Sequence, residues 1–142
     1  MKNMATHECW DFLRSPIRTA QCATVRADGR PHVVPIWFDI DDETLVFTTW
    51  HKAVKAANLR RDPRVCLSVD DQLPPFSFVQ LEGTVSVSTD PDQLLYWATR
   101  IGSRYMGEDQ AEAYGKRNGV PGEILIRITP TNLLGKKDVA GW

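Results

Sequence analysis

The sequence has no excess of charge of either sign, no long apolar run and few cysteines or histidines, and each shortage excludes something. Seventeen Lys and Arg residues oppose eighteen Asp and Glu, a formal net charge of −1. No global positive field therefore draws the chain to nucleic acid or to an anionic membrane, and any anion site has to be local. Unbroken apolar stretches such as Val33 to Phe38 have the length of a strand, well short of the ~20 residues a spanning helix needs. The opening MKNMATHECW lacks the apolar core of a secretory signal, so a cytoplasmic location is expected. Cys9, Cys22 and Cys66 form no CxxC pair and are read as reduced thiols, Cys22 and Cys66 as small core residues on strands. His7, His32 and His51 lie far apart without HxxxH or HxH spacing; His7 and Cys9 are near neighbours, but a four-ligand zinc site needs partners that the sequence does not cluster, and no metal is expected. Repeats, low-complexity tracts and linkers are also missing, and 142 residues suit one domain over 1–142.

What is present is an ordinary globular composition, 42% hydrophobic and 25% charged. Cys9, Trp10 and Leu13 share a helical face within residues 4–13, which Ser15-Pro16 stops. Residues 18–26 alternate with a period near two and run into Asp28-Gly29, a strong hairpin signal. The return strand over 31–40 is apolar on both faces and carries Pro35, which removes a ladder donor and points to an edge or a bulge. After the turn Asp41-Asp42-Glu43 comes TLVFTTW over 44–50, rich in β-branched and aromatic residues. Residues 52–61 read as a helix ended by Asp62-Pro63, residues 64–69 and 77–88 as strands, the latter with a bulge at Gly83. Asp90-Pro91 opens a helix to about Tyr105; a polar helix over 108–117 and a last strand, EILIRI over 123–128, follow. The fold class is mainly β (α+β): a small six-stranded antiparallel barrel with peripheral helices.

The most informative stretch is FTTWHKAVKAAN over 47–58. A strand ending in Thr48-Thr49 delivers hydroxyls beside a helix start, whose first turn leaves backbone N–H groups free for an anion. At about 100° per residue, Ala53, Val54, Ala56 and Ala57 gather on a packing side, and Lys52, Lys55 and Asn58 spread along the other. The same residues serve equally as a solvated basic face, which Arg60 and Arg61 extend. With Pro35 interrupting the ladder, backbone groups of Val34, Ile36 and Trp37 are candidates to bond the edge of a flat heteroaromatic ring; a buried barrel strand is the alternative.

The succession ATVRADGRPHVVPIWFDIDDETLVFTT, KAVKAANLRRDPRVCLSVDD and PPFSFVQLEGTVSVS, with the later WATRIGSRYMG and AYGKRNGVPGE, resembles the flavin- and deazaflavin-binding split β-barrels. These are the pyridoxamine 5′-phosphate oxidase-like proteins, and in particular their actinobacterial branch that uses coenzyme F420. The resemblance runs from about Ala20 to Ile128 and implies a homodimer with the cofactor in a groove between subunits. It places the phosphate at Thr48, Thr49, Lys55 and Asn58, with Lys52 a further contributor, and the ring along His32 to Trp37, through His32, Val34, Pro35, Ile36 and Trp37. Coenzyme F420 is the implied cofactor and FMN the alternative; Arg60, Arg61 and Arg104 are candidates for a polyglutamyl tail.

Departures from the family pattern count too. Phe78 stands where true pyridoxamine phosphate oxidases carry a glutamine ahead of the Glu82-Gly83 pair, and ITPTNLLGKKDVAGW contains no Arg-x-His motif. Vitamin B6 oxidation is therefore not expected. The implied chemistry is hydride transfer from reduced deazaflavin to an electron-poor double bond, an enone or quinone, carried by the cofactor more than by side chains. His51 and Tyr105 are candidate proton donors, each also readable as a surface histidine and a packed tyrosine. Trp50, Phe76, Trp97 and Trp142 are candidates to line the substrate pocket. A carrier or sensor that binds the cofactor without turnover is the reading from another functional class.

Overall fold

A computed structural model describes residues 1–141. In chain order the elements are β1 (Lys2–Asn3), α1 (Thr6–Arg14), β2 (Ala20–Val25), β3 (Pro31–Ile36), β4 (Asp39–Asp41), β5 (Thr44–Trp50), α2 (Val54–Arg61), β6 (Arg64–Asp70), β7 (Phe78–Ser88), α3 (Pro91–Met106), a 3₁₀ turn over Glu108–Gln110, α4 (Ala111–Asn118) and β8 (Glu123–Lys137). All named strands pair antiparallel, in the order β3-β2-β6-β7-β8-β5-β4 with β1 added on β8. This is an α+β arrangement consistent with a split barrel.

There are eight strands, not the six expected. Two differences account for the count. Residues 31–40 do not form one strand: the ladder to β2 ends at Ala20 opposite Ile36, and after two residues outside any strand the chain pairs again with β5 as β4. The two-residue β1 is too short to show a periodicity and is defined only by its partners Lys136 and Lys137. β8 also continues past Ile128 to Lys137, because the step at Pro130 is absorbed by a bulge in β8 itself, where Thr131 is left unpaired opposite Glu82 and Gly83 of β7. Pro130 has no N–H to give the ladder. A Cβ at Gly83 would lie 2.6 Å from the Thr129 carbonyl oxygen, so the close approach there excludes any side chain.

β5 and β8 are buried on both faces, which is why TLVFTTW and EILIRI read as nearly continuous apolar runs. Leu45 and Phe47 of β5, with Ile124, Ile126 and Ile128 of β8, enter the main core together with Phe38, Leu67 and Leu81. On the opposite face Val46 and Leu125 pack against Leu94 and Trp97 of α3. Cys9, Trp10 and Leu13 of α1 join the main core, as the helical spacing predicts. The α3–α4 pair is held close by small residues: a Cβ at Gly102 would lie 2.4 Å from Tyr114 Cβ, and one at Gly115 would lie 2.1 Å from Thr99 Oγ1. No helix among the described residues is long and apolar enough to cross a membrane.

Candidate functional site

β5 ends at Trp50 and the chain turns through residues 51–53 into α2. The turn is fixed by the residue that leads into the neighbouring strand, β8. His51 N–H donates to the Gly122 carbonyl oxygen (2.9 Å), and His51 Nδ1 stands 2.8 Å from the same oxygen. A carbonyl oxygen only accepts, so Nδ1 carries the hydrogen. Gly122 has φ +101°, and a Cβ there would lie 2.3 Å from the Trp50 ring, so the indole lies directly over a residue that must be glycine.

A cleft of about 280 Å³ opens where β5, the β3–β4 break and α2 meet α3 and α4. Of the predicted residues, Pro35, Ile36, Trp37, Thr48, Thr49 and Lys55 line it. Strand alternation sets Thr48 and Trp50 on the face of Val46, toward α3, while Thr49 shares the inner face of Leu45 and Phe47. Among the described residues the Lys55 ammonium makes no ion pair and neither threonine hydroxyl bonds another side chain. A half-buried cation that no carboxylate engages in an ion pair, beside two hydroxyls, is the donor set an oxyanion requires, and it fits a phosphate.

Other predicted residues lie elsewhere. α2 begins at Val54 rather than Lys52, so Lys52 sits exposed in the preceding turn. The packing face of α2 is Ala56, Asn58 and Leu59, with Val54 48% exposed, which corrects the face expected from the alanines. Asn58 consequently points inward: its Nδ2 donates to Thr24 Oγ1 (3.0 Å) and its Oδ1 accepts from Arg61 (3.1 Å). Leu59, the one large apolar residue in that turn, decides which side packs. His32 and Val34 are half-buried on β3 opposite Thr24 and Cys22, outside the cleft lining.

His51 lines a neighbouring cavity of about 460 Å³ with Arg60, Leu94 and Val120. That cavity shares Glu123 with the cleft. The Tyr105 hydroxyl donates to the Arg18 carbonyl oxygen (2.7 Å) and accepts from Phe38 N–H (3.2 Å), so its proton is already engaged. The Arg104 guanidinium is held by the carbonyls of Leu13 (2.8 Å) and Arg14 (3.2 Å). Trp50 lines the cleft at 46% exposure, Trp97 is buried against the sheet, Phe76 is an exposed loop residue, and Trp142 lies outside the described residues.

Sequence reasoning missed Ile101, Asn118 and Glu123 in the lining. Glu123 is the informative one. It opens β8 opposite Trp50, and burial pushes its carboxyl above the usual range while Lys55 and His51 pull it down. A raised folded-state pKa disfavours the ionised form, so the associated stability is present at low pH and lost as pH rises through that pKa. Glu123→Gln is therefore expected to melt higher than the parent at pH 7. The gap should narrow as pH falls and close toward about pH 3, below the ordinary glutamate pKa, where the carboxyl is protonated in both states; melting temperatures of the two proteins that run parallel across this range contradict the assignment.

The family described as pyridoxamine 5′-phosphate oxidase matches residues 5–137. None of the curated proteins matches significantly. Among solved structures the chain is similar to a conserved hypothetical protein from Mycobacterium tuberculosis, with 28% identity, TM-score 0.80, and coverage of 92% of this chain and 82% of that one. It is similar to an F420 reductase at 31% identity and TM-score 0.68, covering 87% of this chain and 93% of that one. The haem storage protein HutZ from Vibrio cholerae, at 22% identity and TM-score 0.71 over 90% of this chain and 92% of that one, shares the fold.

Proposed function

The chain belongs to the pyridoxamine 5′-phosphate oxidase family, and from that premise we propose that it is an oxidoreductase that binds deazaflavin coenzyme F420 and reduces an electron-poor double bond in a small molecule. The observation that carries this reading is the convergence of Lys55, Thr48 and Thr49 on one cleft with Pro35, Ile36 and Trp37. The first group suits a phosphate and the second a flat ring. The similarity to an F420 reductase favours the deazaflavin over FMN.

When bound, the reduced deazaflavin supplies a hydride from its C5 to an enone- or quinone-like acceptor. The work of the chain is to hold and orient. Lys55 fixes the charged end through a charge-assisted hydrogen bond, Trp37 and Pro35 form an apolar wall, and Trp50 over Gly122 covers the rim against water. The proton that completes the reduction would come from solvent or from His51, because the Tyr105 hydroxyl already donates to the Arg18 carbonyl oxygen. A cleft of about 280 Å³ is small for a tricyclic cofactor. β3 is an edge strand whose Val33 is 61% exposed, and a second copy of the chain completes the site.

The test is titration of purified protein with F420 and with FMN, followed by absorbance, then turnover of reduced F420 with a panel of enones and quinones. Micromolar F420 binding with turnover is the expected result. Binding of neither cofactor overturns the reading, tighter binding of FMN replaces the cofactor, and tight F420 binding without turnover on any acceptor makes the protein a carrier.

A further inference from the structure

The β2–β3 ladder runs in register from Val25 opposite Pro31 to Ala20 opposite Ile36. Two residues further, the same register sets Arg18 opposite Phe38. An antiparallel pair would close there with a bond from Phe38 N–H to the Arg18 carbonyl. The structure instead has the Tyr105 hydroxyl between them, accepting from Phe38 N–H at 3.2 Å and donating to the Arg18 oxygen at 2.7 Å. One side-chain oxygen from α3 thus replaces a backbone hydrogen bond, and both strand groups remain satisfied although the strands have parted.

The residue between the last pair and the wedge is Trp37, a wall of the cleft. Its indole lies flat on the Tyr105 ring, with centroids 5.0 Å apart and planes 5° from parallel. Tyr114 of α4 tilts against the same indole, with centroids 5.8 Å apart and planes 51° apart. Arg104 sits over both the Phe38 ring (5.1 Å) and the Tyr105 ring (5.8 Å), clamping the two ends of the wedge. Burial pushes the Tyr105 phenol above its ordinary pKa, so the hydroxyl keeps the proton it donates.

We propose that Tyr105 is a positioning residue for the cofactor ring: its hydroxyl wedges β2 and β3 apart where the barrel splits, and its ring sets the Trp37 wall that the opened ladder exposes. This rests on the cofactor-binding reading above. The expected consequence is a division of labour in the cleft, with Lys55 governing how tightly the charged end is held and Tyr105 governing the surroundings of the ring.

The experiment compares wild type, Tyr105→Phe and Lys55→Ala by amide hydrogen exchange and by titration with F420 and FMN. Tyr105→Phe keeps the stacked ring and removes only the bridging oxygen. In this variant Phe38 N–H should exchange at least tenfold faster, with the amides of Cys22 and Ile36 unchanged. Cofactor should bind about five- to twentyfold more weakly, the loss of roughly one hydrogen bond, and the absorption spectrum at saturation should differ from the parental one. Lys55→Ala should bind more weakly with a parental spectrum at saturation. A merely structural role for Tyr105 would lower the melting temperature and leave that spectrum alone. Unchanged Phe38 exchange, or a parental spectrum in Tyr105→Phe, overturns the proposal. Should that variant not fold, a slowly exchanging Tyr105 hydroxyl proton in the wild-type NMR spectrum supports the wedge and its absence overturns it. Wild-type protein that binds neither cofactor overturns the underlying reading and this assignment with it, an outcome distinct from a variant indistinguishable from a binding-competent parent.

Discussion

Lys55→Ala is expected to bind F420 or FMN about ten- to a hundredfold more weakly than the parent while unfolding at the same temperature. The residue contributes a half-buried ammonium to the cleft and makes no ion pair among the described residues. Its removal breaks no ion pair and deprives Glu123 only of a through-space attraction, so the fold loses little. A charge-assisted hydrogen bond to phosphate is worth about 1.5–3 kcal/mol, which gives the stated range in affinity. Calorimetric titration alongside a melting curve measures both halves of the claim. Undiminished affinity moves the phosphate to another part of the surface, and a large drop in melting temperature would mean that Lys55 supports the fold instead.

Phe47→Ala is expected to do the reverse and cost about 3–5 kcal/mol of stability. Phe47 is wholly buried in the middle of β5, opposite Ile126, so truncation leaves a cavity lined by rigid strands that cannot collapse into it. Against the 5–15 kcal/mol typical of a whole domain, that is a drop in melting temperature of roughly 10–20 °C. Thr48→Ala, one residue along the same strand and half-buried at the cleft, serves as the control and should shift stability by less than about 1 kcal/mol. Denaturant unfolding of the pair decides it. A loss below about 1 kcal/mol for Phe47→Ala would place the β5 side chain outside the shared core.

Most of the local structure is legible along the chain because local chemistry determines it. Asp28-Gly29 forms the predicted hairpin turn, with Gly29 at φ +88° and Arg26 N–H closing on the Arg30 carbonyl. Pro91 opens α3 as its composition requires, and the Cys9, Trp10 and Leu13 stripe is the buried side of α1. What was not legible depends on partners distant in sequence. Asn58 turns inward because Thr24 waits there, a match no helical wheel contains. At the break after Ile36 a tyrosine hydroxyl from α3 bridges the parted strands, a partner that a run apolar on both faces does not reveal. Glu123 joins the cleft only through its register with Trp50. The lining residues that were legible therefore lay in two stretches, Pro35 to Trp37 and Thr48 to Lys55, and those that were not, Ile101, Asn118 and Glu123, reach the cleft only through long-range packing and pairing.

The position of β8 has a consequence for how the molecule comes into being. Along the sheet, the arm β3-β2-β6-β7 and the arm β5-β4 touch only through β8. The arm with β3 carries Pro35 and Ile36, and the arm with β5 carries Thr48 and Thr49. During synthesis the two arms have no strand to pair through until residues 123–137 emerge from the ribosome, because β8 is the strand that lies between them. Such late, sequence-distant pairing makes for slow folding and leaves adhesive edges exposed in the interval. On the cofactor-binding reading proposed above, retention of a flavin-type ligand is then a reporter of maturation: it requires that the two arms have been spliced by β8 and that a second copy has joined.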